Sequence, residues 1–211
     1  MDLDLRPRDR AHRTEDRHAP PLGVRCGLGD DPGSMAGAPR RHDDRWVHAV
    51  VRRIYHGAEG GLVAGLAFIL ADMGWSRLHG EAATTPIRGV ATVFDISDTL
   101  DPTPDALAVG IFTHAWLSVL FGVVFALLLP VLGPRVAAVV PGELRALLVA
   151  GVLYGIALYL FNYQLLGHLW FGWFTGPHRP DLVISVAVHV IFGLALAPFF
   201  IGLEAAQPPR R

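Results

Sequence analysis

Three stretches decide what this chain can become. Residues 106–132, 146–174 and 182–203 each contain a run of more than eighteen residues without Asp, Glu, Arg or Lys. A helix needs roughly 20 apolar residues to cross about 30 Å of hydrocarbon, so each stretch is long enough to span a bilayer. A weaker fourth candidate, residues 57–75, precedes them. Its uncharged core from Gly60 to Ala71 is short and bracketed by Glu59 and Asp72, which leaves a re-entrant or interfacial segment open there. Composition agrees: 52% of the residues are apolar, 18% are charged, and the mean hydropathy is +0.38. The expected fold is all-α: a polytopic membrane protein with a four-helix transmembrane domain over residues 46–205.

The flanking regions are polar. Residues 1–45 form a leader whose first 34 positions hold six arginines and seven acids without an apolar period. Such a segment cannot bury enough surface to offset its chain entropy, so disorder is expected. Met35 opens a more ordinary basic lead-in, so either Met1 or Met35 can be the true start. The CGLGDDPG run at 26–33 lacks a strand before it and a helix after it, which a phosphate loop requires. Residues 206–211 read as a short tail.

Arginine placement sets the expected orientation, because basic flanks stay on the cytoplasmic side. Arg40, Arg41, Arg45, Arg52, Arg53, Arg135, Arg145, Arg210 and Arg211 fall on one side, against Arg77, Arg88 and Arg179 on the other. Both termini should therefore be cytoplasmic, in an inner membrane. The connection TPIRGVATVFDISDTLD should form an amphipathic helix on the outer membrane surface. With 18 arginines, no lysine and a net charge of −1, no basic surplus remains for nucleic acid. A lone cysteine, Cys26, excludes an internal disulfide framework.

Glycine spacing suggests a duplicated helix hairpin. Gly61 and Gly65 are followed by Asp72, and Gly151 and Gly155 by Asn162, at the same offset. Eleven residues return within about 20° on a helix, so each polar residue shares a stripe with its glycines. Helices two and four carry His114, Ser118, Gly122 and Ser185, His189, Gly193 at steps of four, with His and Ser exchanged. Coincidental alignment of glycine-rich helices is the competing account. Either way, small residues let helices approach closely, so Asp72 and Asn162 should face the bundle.

Asp72, His114, Ser118, Asn162, His168, Ser185 and His189 make up the expected intramembrane polar cluster, in the outer half of the bundle. His114 and His189 lie at a common depth of about 12–14 Å. Three readings of the cluster are open. The groups relay protons or bind a cation; His114 and His189 are axial ligands of a b-type haem; or the side chains only hydrogen-bond across helices. The third is the plainest, and under it no cofactor or metal is bound. Asp72 can also reach interfacial water. Gln164 lies on another face of helix three from Asn162. Trp75, Trp170, Phe171, Trp173 and Phe174 read as an interfacial belt, with substrate-stacking the less economical alternative.

No catalytic motif is present, which argues against an enzyme. Asp95, Asp98, Asp101 and Asp105 lack the pattern of a calcium loop and read as a solvated acidic segment. The order GLVAGLAFILADM, TPIRGVATVFD, THAWLSVLFGVVFA, AGVLYGIALYLFN and HVIFGLALAP resembles uncharacterised bacterial four-helix inner-membrane proteins of the YagU-like kind, over about residues 57–203. That resemblance implies a small membrane family and brings no substrate or catalytic residue. The expected partners are the lipid bilayer and either a second copy of the chain or a larger membrane complex. A transport-related subunit, a redox subunit and an accessory protein are the classes left open.

Overall fold

The computed structural model describes residues 41–95, 99–176 and 179–203, and these are helices and short connections. Residues 1–40 and the 206–211 tail lie outside the described residues, as do the expectations made for them. The elements are α1 (Arg41–Leu78), α2 (Thr85–Asp95), α3 (Pro104–Ala137), α4 (Glu143–Tyr159) and α5 (Leu182–Leu196). A π-helical segment, Leu160–Gly167, prolongs α4, and a 3₁₀ turn, Ala197–Phe200, ends α5. Four helical spans are long and apolar enough to cross a bilayer: Trp46–Leu78, Pro104–Ala137, Glu143–Gly167 and Leu182–Phe200. The chain is a multi-pass membrane protein with a four-helix transmembrane bundle.

The packing is arranged for lipid. Within the most apolar windows of α1 and α3 only 33% and 28% is buried by the protein. Leu62, Leu66 and Leu70 on α1, and Phe112 and Trp116 on α3, face outward, whereas Thr113, Ser118, Ser185 and His189 are buried. Polar groups turn inward because hydrocarbon offers them no hydrogen-bond partner.

α1 packs against α3 and α5, and α4 packs against α5 and α3, so the ring order is α3, α1, α5, α4. Two close crossings hold it. A side chain at Gly61 would strike the Ser118 carbonyl, and one at Gly122 would strike the backbone of Gly57 and Gly61. In the second pair, a side chain at Gly155 would strike the His189 carbonyl, and one at Gly193 the backbone of Gly151 and Gly155. α1 lies diagonal to α4 and α3 diagonal to α5, as a twofold relation between two hairpins would place them. The register differs from the expected one by one turn: Gly57 and Gly61, not Gly61 and Gly65, take the place of Gly151 and Gly155. Asn162 then corresponds to Phe68 and not to Asp72.

Four boundaries also differ. α1 begins at Arg41, inside the expected leader, and runs 38 residues, about 57 Å at 1.5 Å per residue. The stretch apolar enough to cross a bilayer begins only at Trp46, so the charged first residues of α1 lie outside that span. α3 continues through Pro130 and Pro134 to Ala137, since a packed membrane helix tolerates the missing donors. The third helix ends at Gly167 and not at Phe174, and the chain then turns through Gly172–Phe174. α5 tightens into the 3₁₀ turn one residue before Pro198, which has no N–H to continue the α ladder.

The two ends of the bundle differ in packing. At the end that carries the α1 N-terminus, Phe125, Leu129, Tyr154, Leu196 and Phe200 form a filled core. There the Tyr154 hydroxyl donates to the Phe121 carbonyl at 2.6 Å, joining α4 to α3. At the other end α2 folds across the helices. The expected position of α2 on the membrane surface is corrected: Ile87, Ala91 and Thr92 are buried against the protein. Arg88 fixes it there, donating to the carbonyls of Asp101 (2.5 Å) and Thr103 (3.1 Å). Thr103 in turn caps α3, its hydroxyl accepting from Ala106 N at 3.3 Å.

Candidate functional site

Under α2 the four long helices spread and leave a cavity of about 220 Å³. Most of its wall is apolar or aromatic, including Phe68, Phe121, Leu158, Phe171, Phe174 and Phe192. Five of the seven expected cluster residues line it: Asp72, His114, Ser118, Asn162 and His189. Among the described residues that line it, Asp72 is the only charged one.

Each polar group reaches the cavity for a local reason. His114 on α3 donates from Nε2 to the Gly65 carbonyl at 2.9 Å, where α1 has no side chain to block the approach. Ser118 turns back on its own helix, donating to the His114 carbonyl at 2.7 Å. On α5, His189 Nδ1 donates to the Ser185 carbonyl at 2.7 Å, which leaves Nε2 to accept from Asn162 Nδ2 at 3.3 Å. His189 thereby uses both nitrogens as a neutral ring. Phe68 packs against both imidazoles, with ring centroids 5.5 Å from His114 and 5.0 Å from His189.

The π turn supplies the α4 side of the wall. Its wider spacing lets consecutive residues Asn162 and Tyr163 both line the cavity. The same spacing settles Gln164, whose amide donates to the Tyr159 hydroxyl five residues back at 2.9 Å.

Two members of the expected cluster are elsewhere. His168 is exposed, its Nδ1 donating to the Tyr163 carbonyl at 3.1 Å, because the π turn rotates it off the bundle face. Ser185 is buried but lies behind the wall, donating to the Asp181 carbonyl at 2.8 Å.

The aromatic belt needs a further correction. Trp170 is exposed as expected of a belt residue, but Trp173 is only 4% exposed. The chain beyond Gly167 folds Trp173 inward, and its indole edge lies against Gly89 of α2, where any side chain would collide with the ring. Its Nε1 is a buried donor that has no acceptor among the described residues. The sequence signal for this slot was faint: a glycine in the short helix and an aromatic run beyond a helix-ending glycine.

A second, polar depression of about 540 Å³ adjoins the cavity and shares Asp72, Pro86, Trp173 and Pro180 with it. Glu81, Asp181, Arg179 and His79 line its rim, and Trp75 stacks on His79 with centroids 4.0 Å apart. Asp72 stands where the two spaces meet, and its carboxylate has no hydrogen bond or ion pair among the described residues.

The arrangement does not fit a haem held by two imidazoles. His114 and His189 both commit Nε2 to protein partners, and Phe68 packs on the two rings that would have to face one iron. Among the described residues no group of three or more His, Cys, Asp or Glu is placed to hold a metal ion. No family model, curated protein or solved structure matches this chain.

Proposed function

We propose that this chain is an inner-membrane protein with cytoplasmic termini that takes a small solute into the cavity beneath α2, as a transport-related subunit and not an enzyme. One observation carries the reading. A mostly apolar, aromatic cavity with a few convergent polar groups lies directly beneath a polar depression, and the two share Asp72. The arginine distribution supports placing this end of the bundle on the outer side, since it holds three arginines against nine.

Accessibility of the cavity in intact cells tests this. Cys26 is replaced by Ser, single cysteines are placed at Phe171 and at the lipid-facing Val63, and a small membrane-impermeant thiol reagent is added outside. The Phe171 position should label and the Val63 position should not. Labelling at Phe171 only in inverted vesicles would overturn the orientation, and none from either side would overturn an accessible cavity.

A further inference from the structure

The depression and cavity together specify more than size. Among the described residues that line the depression, Glu81 and Asp181 outnumber Arg179, which leaves an acidic balance at the mouth. Asp72 follows at the junction, and beyond it no charged side chain lines the wall. His189 offers no countercharge, because its two nitrogens are used as those of a neutral ring. The same wall that holds Asp72 carries the rings of Phe68, Tyr163, Phe171, Trp173 and Phe174.

Ionised groups at membrane depth are costly, and one without a partner is costlier than one that is paired. Asp72 lies in a membrane-spanning helix and has no hydrogen-bond or ion-pair partner among the described residues. A cation from outside would supply that partner. Aromatic faces add attraction for an organic cation over the ring, while their apolar walls suit a hydrocarbon body. A small hydrated metal ion would gain nothing from such walls. An anion would meet Asp72, Glu81 and Asp181 at the entrance.

Building on the cavity reading above, we propose that the occupant is an organic monocation, an ammonium group on a compact apolar or aromatic body, with its charge at Asp72 and its body among the rings. Asp72 is the specificity-determining residue of the site.

Two probes test the proposal on the purified full-length chain in dodecyl maltoside, with tryptophan fluorescence as the readout. Benzyltrimethylammonium carries the fixed charge, and N,N-dimethylbenzamide is a neutral molecule of similar size. The expected result is that both bind and the cation binds at least tenfold more tightly. Asp72→Asn should abolish that preference and leave amide binding unchanged, and Val93→Phe, which fills the cavity from α2, should weaken both. Equal affinities in the unmodified protein, or cation binding untouched by Asp72→Asn, would overturn the cation assignment and leave the cavity reading intact. Failure of both probes to bind would overturn the cavity reading itself. Repeating the cation titration in dodecylphosphocholine separates two sources of the ammonium group. Displacement by that head group assigns the site to a choline-type lipid, and undiminished binding assigns it to a free amine.

Discussion

At the scale of single residues, the structure turns on side chains that are small or that have one partner too few. Gly193 faces the Gly151 carbonyl, so Gly193→Ala must push two helix backbones apart. We expect a loss of about 1–3 kcal/mol, read as a lower thermal midpoint in detergent. Gly74 is the control, since nothing lies within 4 Å of a side chain built there. Gly74→Ala should raise the midpoint, because alanine favours a helix by about 1 kcal/mol over glycine. Asn162→Leu removes the donor to His189 Nε2 and should cost about 0.6–2 kcal/mol, the range found for hydrogen bonds between membrane helices. Trp173→Phe removes part of a ring packed against Gly89 but also deletes an unpaired N–H, so it should cost less than the about 3–5 kcal/mol expected of Trp173→Ala.

At the scale of elements, α2 and the corner after it close the cavity. Arg88 ties α2 to the backbone of Asp101 and Thr103, and the Asp101 carboxylate accepts from Thr103 N at 2.8 Å. Hydrogen bonds from the Thr103 backbone and side chain hold the Asp101 carboxyl below its ordinary range. A depressed value in the folded state means that the bond supports the corner above the ordinary carboxylate pKa. That support is lost as pH falls through the lowered one. Proteolysis within residues 99–103 should therefore stay slow from neutral pH down to the ordinary carboxylate range and rise below it. Asp101→Asn should flatten that profile; an unchanged profile would assign the pH dependence to another group. The existence of α2 was legible from the pattern of TPIRGVATVFD, but its docking was not, because an apolar face does not say whether lipid or protein will cover it. Protein won here because Gly110 lets the α2 backbone at Ile87 approach α3, and Gly89 admits the Trp173 ring.

At the scale of the whole molecule, one end is a filled core and the other is a lidded cavity beside a polar depression. The filled end should resist opening and the α2 end should yield first, since local stability follows the density of buried contacts. Hydrogen exchange in detergent should show faster exchange in α2 and in Leu160–Gly167 than in the segment around Phe125. Slower exchange in α2 than around Phe125 would contradict this. With lipid-facing residues over most of α1 and α3, the protein should also remain in the membrane fraction through an alkaline carbonate wash.

Long uncharged runs determined the membrane as solvent, the helical class and three of the four spans, because a backbone in hydrocarbon has to satisfy its own hydrogen bonds; the first span, with its short uncharged core, was confirmed as a long helix only in the structure. The polar positions at Asp72, His114, Asn162 and His189 were likewise legible, since such residues must turn away from lipid. Only tertiary structure decided which of them meet. The π turn carried Tyr163 into the cavity and His168 out of it, and the slot opposite Gly89 drew Trp173 inside. Both outcomes depend on how neighbouring helices fill space. Hydropathy measures the cost of leaving water along one segment and carries no information about the shape of the surface that will receive it.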